Sequence, residues 1–192
     1  NDPRGAQPDR MGAGSGFIYS EDGYILTNHH VIKDAQEIQI TLKDRRTLKA
    51  QLVGADPGTD IALLRVPADQ LSALALGDSE QLAVGDFVVA IGNPFGLGQT
   101  VTSGIVSALG RGGLGIEGYE DFIQTDASIN QGNSGGPMFD MNGNVIGINT
   151  AIYSPSGGSV GIGFAIPSAL ARGVVDQIIE FGRTKRGWLG VR

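Results

Sequence analysis

The sequence consists of short extended segments, each separated from the next by a turn signal. Residues 24–27, 61–66 and 87–91 are apolar runs of strand length, and residues 37–42 alternate apolar with polar side chains. Asn142-Gly143 is typical of a two-residue hairpin turn between two such segments. This succession of short strands predicts an all-β barrel or sandwich rather than alternating β-α-β units. Further strands are predicted at residues 17–19, 47–53, 100–109, 122–125, 137–141, 145–149 and 162–166.

Glycine refines this prediction because it is both abundant and unevenly placed. The chain has 31 glycines among 192 residues, against roughly 7% in an ordinary protein. No glycine falls within residues 24–53, whereas glycines recur throughout residues 92–163. Glycine permits tight turns and close backbone approaches. The change therefore predicts two sub-domains that meet near residues 77–85, which we assign as residues 12–78 and 79–166.

One helix is predicted at the C-terminal end, over residues 167–182. Apolar side chains recur at helical spacing from Leu170 to Phe181, Ser168 is a plausible N-cap, and Gly182 stands at the expected C-terminal cap. We expect the apolar side of this helix to pack on the barrels.

Several functional classes are excluded by composition. The chain has no cysteine, hence no disulfide framework and no cysteine nucleophile, and its two histidines are too few for a usual catalytic zinc site. The net charge of -6 argues against sequence-independent binding to nucleic acid or to an anionic membrane. The apolar runs are too short to span a bilayer.

The strongest candidate nucleophile is Ser134. Residues 131–137 read Gln-Gly-Asn-Ser-Gly-Gly-Pro. A serine nucleophile stands on a tight turn that exposes its hydroxyl, and nearby backbone N–H groups converge where an oxyanion forms. Flanking glycines allow such a turn because glycine adopts positive φ without steric penalty. The same residues are also compatible with an ordinary glycine-rich turn.

The two histidines, His29 and His30, are adjacent at the end of a predicted strand. A serine hydroxyl needs a neighbouring base near neutral pH, and histidine is the usual one. Adjacent side chains on an extended chain point to opposite sides, so only one can face a nucleophile. The local pattern does not say which, and a structural histidine pair is the alternative.

The candidate acid is Asp60, which leads directly into the apolar run 61–64. An unpaired carboxylate there would be costly, whereas a triad aspartate is buried and orients the imidazole. Asp56, just before Pro57 and Gly58, is typical of a turn instead. The chain order His, Asp, Ser is one of the known triad orders.

Together these segments resemble a known family. Thr-Asn-His-His-Val at residues 27–31, Asp-Ile-Ala-Leu-Leu at 60–64 and Gly-Asn-Ser-Gly-Gly-Pro at 132–137 resemble the three motifs of the HtrA serine proteases, the DegP/DegQ family, and DegQ-like members in particular. Residues 14–17, 76–79, 92–96 and 161–167 are similar to other stretches of that family.

This resemblance implies an all-β, chymotrypsin-like fold of two six-stranded β-barrels with a C-terminal helix. It implies that His30 is the base, Asp60 the acid and Ser134 the nucleophile. The oxyanion hole would be formed by the backbone N–H groups of Gly132, Asn133 and Ser134. No metal or other cofactor is implied.

Substrate preference can be predicted in part. Ser128, six residues before Ser134, offers no acid to pair with a lysine or arginine of the substrate. The resemblance implies that Ile129, Ile152 and Tyr153 line a narrow apolar pocket for small aliphatic residues. A strand edge is expected to bind an extended peptide there. That edge comprises Asn149, Thr150, Ala151 and Ile152.

Residues 110–115 contain a formal G-x-G-x-x-G pattern, but no β-α-β unit follows, so a dinucleotide site is not predicted. The resemblance implies a mobile regulatory loop here, with Arg111 as its signalling residue. A disordered surface loop is the alternative.

The chain ends fit either a cytosolic protein or a mature exported form. Residues 1–11 form a polar, flexible lead-in without a signal peptide, and residues 183–192 look like the start of a truncated PDZ domain. The resemblance implies a homotrimer in the bacterial periplasm that acts on unfolded or misfolded polypeptides.

The predicted function is therefore an ATP-independent serine endopeptidase of periplasmic protein quality control. The alternative is a chaperone-like scaffold that binds unfolded chains while its site is disordered. An enzyme that prefers lysine or arginine is a weaker alternative.

Overall fold

The computed structural model describes residues 12–93, 98–112, 121–150 and 159–185. The first sheet contains β1 (Phe17–Ile18), β2 (Tyr24–Asn28), β3 (Ile38–Thr41), β4 (Thr47–Asp56) and β5 (Ile61–Arg65). Its strand order is β1-β2-β5-β4-β3, with antiparallel neighbours throughout. One helical turn, α1 (His29–Ile32), follows β2 directly.

The second sheet is a closed barrel of six strands in the order β10-β11-β8-β7-β6-β9. These strands are β6 (Phe87–Gly92), β7 (Thr100–Arg111), β8 (Phe122–Thr125), β9 (Pro137–Phe139), β10 (Val145–Thr150) and β11 (Gly163–Pro167). The all-β, chymotrypsin-like prediction is confirmed. The second six-stranded barrel is present and closed, as predicted. The first barrel was also expected to have six strands, but its sheet has five over the described residues.

Helix α2 (Ser168–Phe181) packs on both sheets, as its apolar spacing predicts. One core cluster joins Leu26 and Leu63 of the first sheet, Ile148 of the second, and Val175 and Ile178 of α2. Ser168 is the first helical residue rather than the N-cap, and its hydroxyl donates instead to the Gly77 carbonyl at 2.9 Å. The shared core holds the two sheets against one another and so fixes their relative position.

The link between the sheets already binds the second barrel. A 3-10 turn at Ser79–Gln81 lies between Arg65 of β5 and Phe87 of β6. Just before it, the Gly77 N–H donates to the Val145 carbonyl at 2.8 Å. The segment just before residue 78 therefore already contacts β10 of the second barrel. The domain limits at residues 78 and 79 stay a prediction.

No helix of the described residues is long and apolar enough to cross a membrane.

Candidate active site

The structure brings together the three residues predicted for a catalytic triad. His30 lies on α1, Asp60 in the turn before β5, and Ser134 in the turn before β9. His30 Nδ1 lies 2.6 Å from Asp60 Oδ2, and His30 Nε2 lies 3.0 Å from Ser134 Oγ. A carboxylate only accepts, so Nδ1 carries the proton in this contact and Nε2 faces the serine hydroxyl.

The choice between the two histidines is decided by local structure that the sequence pattern did not predict. His29 and His30 open a helical turn instead of ending a strand, so the alternation rule for extended chains does not apply. The His30 backbone N–H donates to Asp60 Oδ1 at 2.8 Å, which fixes α1 against the carboxylate. His29 lies beside this contact, and its backbone N–H donates to the Asp60 carbonyl at 3.0 Å.

Asp60 adopts an unusual backbone conformation for a residue other than glycine. Its φ is +59°, in the left-handed region that aspartate and asparagine tolerate best. Its carboxylate is held by His30 and also accepts a hydrogen bond from Thr150 Oγ1 at 3.2 Å. The side chain keeps 25% of its surface exposed, so it is less buried than expected. Asp56 begins a turn as predicted, since its carbonyl accepts from the Thr59 N–H at 3.3 Å, and its buried carboxylate accepts from the Thr59 hydroxyl at 2.6 Å.

The sequence predicted an exposed hydroxyl at Ser134, but only 1% of this residue is exposed. Its Oγ lies 2.9 Å from Asn28 Oδ1 in addition to the His30 contact. The residue after it requires glycine: Gly135 has φ +86°, and a Cβ there would lie 2.3 Å from the Ser15 carbonyl oxygen. The glycine argument made from the sequence therefore applies to the turn, but the hydroxyl faces inward.

The predicted oxyanion donors are directed at Asn130 rather than at an open position. The N–H of Gly132 donates to Asn130 Oδ1 at 2.9 Å, and the N–H of Ser134 donates to the Asn130 carbonyl at 3.0 Å. The N–H of Asn133 approaches the same carbonyl at 3.3 Å. In this conformation the nucleophile turn satisfies its own donors, so the oxyanion hole expected from the sequence is not open.

Ser15, in the segment before β1, ties this turn to the rest of the site. Its hydroxyl donates to the Gly132 carbonyl at 2.7 Å and accepts from the Asn93 N–H at 2.9 Å. Its backbone N–H donates to the Ser134 carbonyl at 3.0 Å. Sequence reasoning noted Ser15 only as part of a family-like stretch; its position between glycines was the available signal.

Two of the predicted substrate contacts have other roles. Asn149 is not a free strand edge: its N–H donates to the Gly136 carbonyl at 2.9 Å, and its carbonyl accepts from Gly135 at 2.7 Å. Its buried Nδ2 also contacts Asn133 and Pro137 carbonyls, so Asn149 braces the nucleophile turn. Thr150 supports Asp60 through its hydroxyl. Ala151, Ile152 and Tyr153 lie outside the described residues.

The structure gives the positions of Ile129 and Arg111, and their roles in the pocket and in the regulatory loop stay predictions. Ile129 is buried in the second barrel, and a Cβ added at Gly163 would lie 2.6 Å from its Cγ1. Arg111 is exposed at the end of β7, opposite Phe122 of β8.

Within the described ranges no group of three or more histidine, aspartate or glutamate side chains could hold a metal ion.

The chain is similar to known serine proteases. Residues 14–148 match the family described as trypsin-like peptidase domain. The chain is 60% identical over 189 residues to the periplasmic pH-dependent serine endoprotease DegQ of Escherichia coli K12, covering 97% of this chain and 41% of that protein. It is 57% identical over 194 residues to a probable periplasmic serine endoprotease, DegP-like, of Brucella suis, covering 100% of this chain and 38% of that protein.

Solved structures of HtrA-type proteases are also similar to this chain, in both fold and sequence. An HtrA-type protease AlgW with decapeptide superposes with a TM-score of 0.89 at 59% identity, covering 93% of this chain and 55% of that one. The chain spans about two fifths of the length of the curated relatives it matches. The match over residues 14–148 and these identities converge on one assignment. The chain belongs to the family of trypsin-like peptidase domains and, within it, to the HtrA (DegP/DegQ) serine proteases.

Proposed function

We propose that this chain is the protease domain of an ATP-independent serine endopeptidase that cleaves unfolded or misfolded proteins in the bacterial periplasm. The observation that carries the proposal is the unbroken contact series from Asp60 through His30 to Ser134, at 2.6 and 3.0 Å. The DegP-like and DegQ relatives are periplasmic serine endoproteases by name, which supports the compartment.

In the proposed mechanism Ser134 Oγ attacks the peptide carbonyl carbon while its proton passes to His30 Nε2. Asp60 holds the Nδ1–H tautomer and stabilises the imidazolium that forms. His30 then donates the same proton to the leaving amine, and water attacks the acyl-enzyme by the reverse sequence. The chemistry requires only these side chains and backbone donors that stabilise the oxyanion.

Catalysis requires the nucleophile turn to change conformation. The N–H groups of Gly132 and Ser134 can stabilise an oxyanion only after they leave Asn130. A peptide carbonyl oxygen offers them a substitute acceptor, so substrate binding can drive the exchange. The conformation described here corresponds in this proposal to a resting form of the enzyme.

The proposed preference is for small aliphatic residues before the cleaved bond. Ile129 is apolar and packs directly over Gly163, so the floor of a pocket at this place has no charge to pair with lysine or arginine. The Ala127-Ser128-Ile129 stretch supplies no acid either. Mapping of cleavage sites in unfolded casein should return mainly Val, Ala and Ile before the cut; a majority of Lys or Arg would contradict the proposal.

A chaperone-like scaffold is the second candidate, favoured by two observations: the predicted oxyanion donors bond to Asn130, and Ser134 is buried. The two candidates differ in their reaction with a fluorophosphonate, which needs an assembled nucleophile. We expect covalent labelling that mass spectrometry assigns to Ser134 and that is absent in Ser134→Ala. Suppression of aggregation with no labelling and no casein cleavage would favour the scaffold.

The proposed assembly is a homotrimer. Size-exclusion chromatography with light scattering should give three times the chain mass of 19.9 kDa. A monomer at micromolar concentration would contradict the trimer without affecting the proposed chemistry.

A further inference from the structure

The buried side chain of Asn28 takes no part in the proposed proton transfers. Asn28 is the last residue of β2 and has no exposed surface. Its Oδ1 lies 2.9 Å from Ser134 Oγ, and its Nδ2 donates to the Asp60 carbonyl oxygen at 3.0 Å. One amide therefore contacts both the proposed nucleophile and the backbone of the proposed acid.

The Asp60 carbonyl determines which end of this amide faces Ser134. A carbonyl oxygen only accepts, so Nδ2 must face it, and Oδ1 at the opposite end faces Ser134. An amide oxygen also only accepts, so the Ser134 hydroxyl is the donor in this contact. His30 Nε2 lies at nearly the same distance from the same Oγ. Asn28 Oδ1 and His30 Nε2 therefore compete to accept the single hydroxyl proton.

We propose that Asn28 is a resting-state acceptor that holds the Ser134 hydroxyl proton and restrains the nucleophile. The inference rests on the proposed protease function. During attack the Ser134 O–H bond breaks and an N–H bond forms at His30 Nε2. Oγ bonds to the carbonyl carbon, and the π pair of the C=O bond moves onto its oxygen as the oxyanion. Oγ then has no proton to offer Asn28, and two lone-pair-bearing oxygens face each other.

Asn28 therefore stabilises the resting hydroxyl more than it stabilises the transition state. An interaction that is stronger in the ground state lowers the rate of the chemical step. Loss of this hydrogen bond should accelerate the reaction of Ser134 rather than slow it. A residue that merely shapes the site would have the opposite effect when removed, because Oγ would lose its position.

The other contacts of the site do not depend on the Asn28 side chain. The Asp60 carbonyl also accepts from the His29 N–H at 3.0 Å, so it keeps a partner when Nδ2 is removed. Both hydrogen bonds between His30 and the Asp60 carboxylate are independent of Asn28. Asn28→Leu replaces the amide by an apolar group of similar size and removes one contact to the nucleophile.

The test compares Asn28→Leu with Asn142→Leu, the same change at an exposed hairpin residue. The first readout is the rate of fluorophosphonate labelling at Ser134. Asn28→Leu should raise it about fivefold, which is about 1 kcal/mol at 1.4 kcal/mol per tenfold, the size of one hydrogen bond. Asn142→Leu should leave it unchanged.

The second readout is the ¹⁵N resonance of His30 Nε2, recorded well above the ordinary titration range of histidine. Asn28→Leu removes Oδ1 as a competing acceptor, so the hydroxyl donates more fully to Nε2 and this resonance should move towards its hydrogen-bonded position. In a Ser134→Ala background the same substitution should leave the resonance unmoved. That dependence on the hydroxyl would not arise from a general change in packing.

The proposal requires both results in a protein whose melting temperature shows it to be folded. An unchanged or slower labelling rate overturns it, and so does an unmoved Nε2 resonance. If Asn28→Leu does not fold, Asn28→Ala is measured in the same way. A wild-type protein that is never labelled refutes the proposed protease function instead, while the resonance still tests Asn28 because it needs no catalysis.

Discussion

Asp60→Asn is expected to abolish most activity while it leaves the fold intact. The carboxylate accepts from the His30 N–H through Oδ1 at 2.8 Å and contacts His30 Nδ1 through Oδ2 at 2.6 Å. The backbone N–H can only donate, so the oxygen of the new amide must replace Oδ1. The new NH₂ group then faces Nδ1 and donates to it.

This arrangement forces the imidazole into the wrong tautomer. Nδ1 becomes an acceptor, so the proton of neutral His30 moves to Nε2, which can no longer take the Ser134 proton. The equivalent change in a serine-protease triad lowers kcat about 10⁴-fold, which is about 5.5 kcal/mol at 1.36 kcal/mol per tenfold. Because the new amide keeps two hydrogen bonds to His30, stability should change little.

The assay is single-turnover cleavage of a fluorescent unfolded substrate, with the melting temperature measured in parallel. Asp44→Asn is the matched control, since it removes the same charge from an exposed carboxylate that contacts Arg46. It should retain full activity. If folded Asp60→Asn kept more than about a tenth of wild-type activity, the tautomer argument would be refuted.

Three further predictions test other parts of the structure. Thr150→Val removes the hydroxyl that donates to Asp60 Oδ2 at 3.2 Å and should lower kcat roughly three- to tenfold with KM unchanged in steady-state assays. Ile178→Ala opens a cavity in the shared core and should reduce the free energy of unfolding by about 2–5 kcal/mol in urea titrations; a loss below about 1 kcal/mol would contradict the packing. Burial first, and the Asp176 carboxylate second, raise the pKa of Tyr19 above 10.0, against an opposing effect of Arg172. Unfolded Tyr19 therefore ionises first, so stability should fall as pH rises above about 10, and Tyr19→Phe should reduce that fall in urea titrations across this range.

Local patterns in the sequence predicted most strands because each depends on a few neighbouring residues. The apolar run after Asp60 is β5, and Asn142-Gly143 lies between β9 and β10 as predicted, although residues 140–144 form a longer connection than the two-residue turn that was expected. Strand neighbours could not be predicted in this way, since pairing depends on distant residues. Asn149 illustrates the difference: its strand was expected, but its bonds to Gly135 and Gly136 were not.

Residue types predicted the candidate site better than they predicted its conformation. His30, Asp60 and Ser134 meet because their roles demand particular side chains. The inward turn of the Ser134 hydroxyl and the bonds of Asn130 depend on backbone rotations that the same glycine-rich sequence permits in more than one way. Asn28 lay within a motif used only to locate the histidines.

The contacts around Ser134 join parts of the chain that are far apart in sequence. Ser15 reaches Gly132 across 117 residues, His30 reaches Ser134 across 104, and Asp60 meets Thr150 across 90. Such non-local contacts form late in folding, because loop closure must precede them. During synthesis, a chain that has emerged only as far as β8 already contains His30 and Asp60 but neither Ser134 nor Thr150. The contacts from Asp60 to His30 and from His30 to Ser134 can therefore be completed only after the turn that follows β8 has emerged, so the proposed nucleophile joins its base and acid late in the folding of these residues.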